Sequence, residues 1–85
     1  PLTVLLGDLN AEPDWEEMRL LYAAGLIDSW LETDGGDGFT WPAAGPDKRI
    51  DWIWHTADLV AVRVEVVQTL ASDHLPVLAV IARAP

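Results

Sequence analysis

The sequence predicts an α/β (α+β) fold: a strand, a helix, then three or four further strands, with a mixed sheet. Three observations predict it. Pro1 to Leu6 (PLTVLL) is a continuous apolar run ending at Gly7, the pattern of a strand buried on both faces. Met18, Leu21 and Tyr22 then recur at helical spacing. Past Gly38 the period becomes two, with Ile50, Trp52 and Trp54 on one face of Arg49 to His55. Leu59 to Val67 repeats it, with Val60, Val62, Val64 and Val66 on one face.

The elements follow in order. Gly7 to Pro13 is rich in Gly, Asp, Asn and Pro and reads as a loop. The helix is expected over Trp15 to Ala24, with Asp14 capping it, Glu17 completing a capping box, and Gly25 as the stop. Leu26 to Trp30 reads as a short helical turn, and Glu32 to Gly38 as loop. Asp34 and Asp37 within that loop lack the alternate-position acids and later glutamate of a calcium loop, so they read as turn residues. Phe39 to Trp41 is a short strand broken by Pro42, and Pro42 to Lys48 a turn. After a polar link, Thr69 to Asp73, a last strand runs from His74 to Ala82. Pro76 puts that strand's first residues at an edge or end.

Composition bounds the rest. Eighty-five residues make one small domain, and a chain of that size has a marginal core unless a metal, disulfide or partner supports it. The absence of cysteine excludes disulfides and thiolate metal sites, and leaves the compartment open. At 51% hydrophobic residues the chain is too apolar for disorder. No apolar run reaches the roughly 18–20 residues of a membrane span, and no secretory leader is visible. The opening at Pro1, with strand character already in Leu2, reads as a segment of something longer. The net charge of −9 opposes strong nonspecific nucleic-acid binding. It leaves two options, a solvated acidic surface or an oxygen-ligand metal site.

Three polar segments break their context. Asp8 and Asn10 stand at the end of the first strand, where they can ligate a hard cation or hold a water, or simply make a turn. Asp51 lies inside an aromatic strand; it either pairs with Arg49 two residues back or orients a histidine. Ser72, Asp73 and His74 precede the last strand, where a surface turn is the commoner explanation. His55 is expected at the exposed end of its strand. Glu12, Asp14, Glu16 and Glu17 suit the positive end of the helix dipole.

In this order, Gly7-Asp8-Leu9-Asn10, Arg49-Ile50-Asp51-Trp52-Ile53 and Ser72-Asp73-His74-Leu75-Pro76 closely resemble the endonuclease/exonuclease/phosphatase superfamily. These are the deoxyribonuclease-I-like metal-dependent phosphohydrolases. The resemblance runs from Leu2 to about Ala82, and both Phe39-Thr40-Trp41 and Ala24 to Asp28 look like bacterial members.

The resemblance implies roles. Asp8 looks like the acid that positions or deprotonates the attacking water, and Asn10 like its companion on the phosphoryl oxygens. Asp73 matches a carboxylate at the metal site, His74 the histidine on the scissile phosphate, and Asp51 the acid holding that histidine's other ring nitrogen. Asp8, Asn10 and Asp73 are the implied contacts of Mg²⁺ or Mn²⁺. The superfamily's four-layered α/β sandwich is about twice this length or more. Residues 1–85 therefore correspond to its carboxy-terminal half, with a mostly antiparallel sheet. The asparagine and main metal glutamate of the amino-terminal half have no match here.

Two functions follow from the resemblance. One is a Mg²⁺- or Mn²⁺-dependent phosphoester hydrolase (phosphodiesterase, phosphatase or nuclease), active in a full-length or complemented domain. The other is a catalytically silent half acting as a structural or assembly module. The expected partners are a phosphoester substrate and either the missing half or a second copy. The short acidic loops, with Lys48 and Arg49 the only bases near the site, favour a small phosphoester or lipid headgroup over a long DNA surface. Trp41 and Trp30 are candidate stacking surfaces, although core placement is commoner for such residues.

Overall fold

The computed structural model describes residues 1–33 and 36–85; Asp34, expected in a turn, lies outside the described residues. The chain forms β1 (Val4–Asp8), α1 (Glu17–Ala23), β2 (Ile27–Asp28), α2 (Ser29–Thr33), β3 (Asp51–His55), β4 (Leu59–Val66) and β5 (Val77–Arg83). The fold is α+β. The strands lie in two sheets, β1-β3-β2 and β4-β5, and each pairing is antiparallel, so neither sheet is mixed.

β3 is the organising element. Its alternation drives Trp52 and Trp54 to one side, where they stack at 5.2 Å between ring centroids. Ala11 and Met18 complete the buried cluster, with Leu9, Leu21 and Leu26 packed around it. Tyr22 of α1 meets Trp54 edge-on. The opposite face of β3 carries Asp51, whose register partner on β1 is Asp8. One face of the strand pair thus builds the core while the other brings two distant carboxylates together.

Several expectations are corrected. β1 is an edge strand paired on one side only, so its apolar residues are not buried on both faces; Leu6 is 67% exposed. The strand also extends through Gly7 and Asp8, where a loop is expected, because both continue the ladder with Trp52 and Asp51. α1 starts at Glu17, after turns that bond Trp15 N–H to Glu12 O and Met18 N–H to Trp15 O. Asp14 is not its cap, and no side chain caps it. The stop is as expected. Gly25 takes φ +86°, with Gly25 N–H on Tyr22 O and Leu26 N–H on Leu21 O, the paired bonds of a Schellman end.

Ile27 and Asp28 pair with β3 rather than entering a helical turn, and α2 takes up Glu32, expected in loop. Phe39 to Trp41 forms no regular strand. Trp41 makes a single bridge to Lys48 across the Pro42 to Asp47 turn. The last strand, expected from His74, begins only at Val77; His74 N–H bonds Ser72 Oγ in the preceding turn, and Pro76 has no N–H to offer a ladder.

β4 departs from simple alternation. A bulge between Ala61 and Arg63 inserts Val62 and flips the phase. Ala61, Val64 and Val66 consequently share a face, opposite Ile81, Ala79 and Val77, while Val62 is 58% exposed. The two sheets are tied through α2. A Glu32 carboxylate oxygen lies 2.8 Å from His55 Nε2 on β3 and accepts the Ala61 N–H of β4 at 2.7 Å. His55 is therefore fully buried, not at an exposed strand end. Its other ring nitrogen meets Thr56 O at 2.8 Å.

Candidate active site

The site is assembled where β1 ends and β3 begins. In a strand successive side chains alternate faces, so the register pair Asp8 and Asp51 point the same way. Past β1 the chain turns at Asn10, whose N–H bonds Asp8 Oδ1 at 2.7 Å and whose φ is +49°. Asn adopts this left-handed conformation more readily than most residues. The turn chemistry of the Asp8–Asn10 segment and its placement of two polar side chains at a strand end are thus one feature.

The third segment arrives through backbone bonds. Leu75 N–H donates to Thr40 O at 2.7 Å and Ala43 N–H to Asp73 O at 2.8 Å, which pins the Ser72–Leu75 turn against residues 40–43. His74 N–H on Ser72 Oγ tightens the same turn. Leu75 is buried and anchors it; His74 is left half-buried above the two carboxylates.

His74 Nδ1 lies 2.9 Å from Asp51 Oδ2, and Nε2 lies 3.8 Å from Asp8 Oδ2. Thr40 Oγ1 donates to the same Asp51 oxygen at 2.6 Å. The bond to Asp51 raises the His74 pKa above its ordinary value; the Asp51, Asp8 and Asp73 charges add to this, and partial burial opposes it. Asp51 does not pair with Arg49. Arg49 precedes β3, so strand alternation does not set its direction; its guanidinium covers the Trp52 ring and binds buried Asp28.

Asp8, Asp51 and His74 each offer a ligand atom within 4.8 Å of one another. Asp51 Oδ2 is already engaged by two donors. Asp8 and Asn10, facing the adjoining cleft, remain as oxygen donors. This donor set fits Mg²⁺, which binds through one or two carboxylates and keeps water and phosphate oxygens as its other ligands. Asp73 is exposed and stands outside that cluster, its carboxylate 3.4 Å from Ser72 Oγ.

The cleft beside His74 has a volume of about 330 Å³ and is lined by Asp8, Asn10, Glu12, Trp15, Trp41, Lys48 and Ile50 as well as the histidine. Trp30, a candidate stacking surface by sequence, is buried; its Nε1–H donates to Gly36 O at 2.8 Å. Sequence reasoning missed Thr40 and Trp15. Thr40 carries no polar pattern of its own, and Trp15 looked like a helix residue.

Compared with known proteins, residues 1–74 match the model of the endonuclease/exonuclease/phosphatase family. The chain belongs to that family. The match covers all three polar segments as far as His74. The endonuclease/exonuclease/phosphatase family is one of phosphoesterase- and nuclease-type hydrolases, typically dependent on a divalent metal. The search of curated proteins and the search of solved structures found no match.

Proposed function

We propose that this chain supplies the water-activating and phosphate-contacting part of a Mg²⁺- or Mn²⁺-dependent phosphoester hydrolase. In this reading residues 1–85 are the carboxy-terminal half of the family's four-layered sandwich, completed by an amino-terminal half or by a second copy. One observation carries it: the convergence of Asp8, Asp51 and His74 on one face of the β1–β3 pair, with Thr40 bonded to Asp51.

Each residue has a task its surroundings suit. Asp8, with one oxygen fixed by the Asn10 N–H, directs its other oxygen toward His74 and takes a proton from the attacking water. The water oxygen bonds phosphorus as the ester oxygen leaves and takes a proton from solvent. Asn10 donates to a phosphoryl oxygen. His74 presents Nε2 to the phosphate while Asp51 holds Nδ1, and the raised pKa favours the charged ring that an anion requires. Asp8 and Asn10 would hold the cation, which neutralises phosphoryl charge when bound; Asp73, outside their cluster, would have to swing in to add its carboxylate.

The test is hydrolysis of an aryl phosphodiester by the purified chain with and without Mg²⁺ or Mn²⁺, beside Asp8→Ala and His74→Ala. Metal-dependent turnover falling by roughly 10²–10⁴ in both variants is the expected result. Metal-independent turnover, or turnover kept in both variants, would overturn the assignment. No turnover by the wild-type chain would favour the second reading, a silent half; exposed Leu6 on the β1 edge supports that reading as an assembly surface.

A further inference from the structure

The five tryptophans of this chain divide cleanly. Trp30, Trp52 and Trp54 are buried. Trp15 and Trp41 are not, and both line the cleft that carries Asp8 and His74. Trp15 is 46% exposed, on the turn leading into α1. Among the described residues the close ring pairs are Tyr22–Trp54 and Trp52–Trp54, so neither cleft indole is stacked on another ring of the chain.

Trp41 is held by backbone bonds on both sides of its turn, Trp41 N–H to Lys48 O and Lys48 N–H to Trp41 O. Those bonds also place the Lys48 ammonium 5.4 Å from the indole centre. The remaining lining is Ile50, Asn10 and the acids Asp8 and Glu12. Such a wall is poor for a polyanion, because Lys48 and His74 face two carboxylates and leave no excess of positive charge. It suits one flat, uncharged ring.

We propose that the cleft is a specificity subsite for a planar aromatic group esterified to the phosphate, seated on Trp15 and Trp41 with its phosphate toward His74. The substrate class is then an aryl or nucleoside phosphoester rather than an alkyl one. This rests on the phosphoesterase reading above and deepens it. A volume of about 330 Å³ accommodates one ring with its sugar or linker, not a duplex.

The experiment is calorimetric binding to the purified chain with Mg²⁺ present, using thymidine 5′-phosphate, phenyl phosphate and glycerol phosphate as probes. Wild type is compared with Trp15→Leu, Trp15→Phe and Trp41→Leu, each first checked for native circular dichroism. Stacking predicts that both aromatic phosphates bind about tenfold or more tightly than glycerol phosphate. Trp15→Leu should lose most of that preference and Trp15→Phe should keep it. Trp15 is well exposed, so this pair reads the subsite even if Trp41→Leu fails to fold. Tighter binding of thymidine 5′-phosphate than of phenyl phosphate would identify the ring as a nucleobase; equal binding, as any aryl group. Equal binding of all three phosphates would overturn the aromatic subsite while leaving the phosphate site standing. No binding of any of them would overturn the subsite and the phosphoesterase reading together.

Discussion

Asp51 Oδ2 accepts two hydrogen bonds, from His74 Nδ1–H at 2.9 Å and from Thr40 Oγ1–H at 2.6 Å. The aspartate therefore fixes both the tautomer and the direction of the imidazole, leaving Nε2 toward Asp8 and the cleft. Because the shared proton lies against a carboxylate, the charged ring gains most, and the His74 pKa is raised.

Replacing Asp51 removes the largest cause of that shift. In Asp51→Asn the His74 pKa should fall back toward its ordinary 6.5, followed by the ring proton shifts in an NMR titration. The sign for stability follows from linkage. A raised folded-state pKa stabilises the fold fully below about 6.5, and that contribution is lost as pH rises through the folded value. The wild-type advantage over Asp51→Asn should therefore shrink on going from mildly acidic to alkaline pH. An unchanged titration of His74 would mean that Asp51 does not set its charge.

Thr40→Val tests the other donor. Thr40 is completely buried, and valine keeps its shape while leaving the Asp51 carboxylate one bond short. Loss of a hydrogen bond to a charged group should cost about 1.5–3 kcal/mol in urea unfolding. A cost below about 0.5 kcal/mol, the low end for any hydrogen bond, would show that water replaces the hydroxyl.

How far the sequence discloses this arrangement depends on range. The β3 aromatic alternation and the Gly25 stop are local preferences, and both are visible in the residues, whereas β5 begins at Val77 and not at His74 as expected. Asp8, Asp51 and His74 are legible as polar residues out of place, but their convergence depends on a register pairing 43 positions apart. Arg49 shows the limit. Its partner Asp28 lies 21 residues away on β2, and no spacing rule could choose it over Asp51 two residues on. The Val62 bulge is illegible for the same reason, because an extra residue is defined only against β5. The exposure of β1 follows from its edge position, which the apolar run does not encode.

Glu32 ties the two sheets together, and its removal should loosen both. Glu32→Ala leaves buried His55 Nε2 without its partner and the Ala61 N–H of β4 without its acceptor. Two lost partners at about 1–3 kcal/mol each make a large fraction of a small domain's stability. Glu32→Gln keeps one oxygen acceptor and should fall between wild type and alanine in thermal unfolding. Identical melting of all three proteins would show that the carboxylate bears no load.

The Arg49–Asp28 pair is buried on both sides, with side chains 5% and 1% exposed. It also caps the Trp52 face, since the guanidinium carbon lies 4.0 Å from the ring centre. Asp28 Oδ1 takes both the arginine and the Trp30 N–H, while Oδ2 has no partner among the described residues. Arg49→Met therefore strands a buried carboxylate that keeps a single backbone bond. The cost should be about 3–5 kcal/mol, enough to unfold much of a marginal chain. Adding Asp28→Leu removes the stranded charge, so the double variant should recover a substantial part of the loss. Denaturant unfolding of the two singles and the double gives the coupling directly. Additive losses in that cycle would mean that Arg49 acts through its packing on Trp52, with Asp28 an independent contributor.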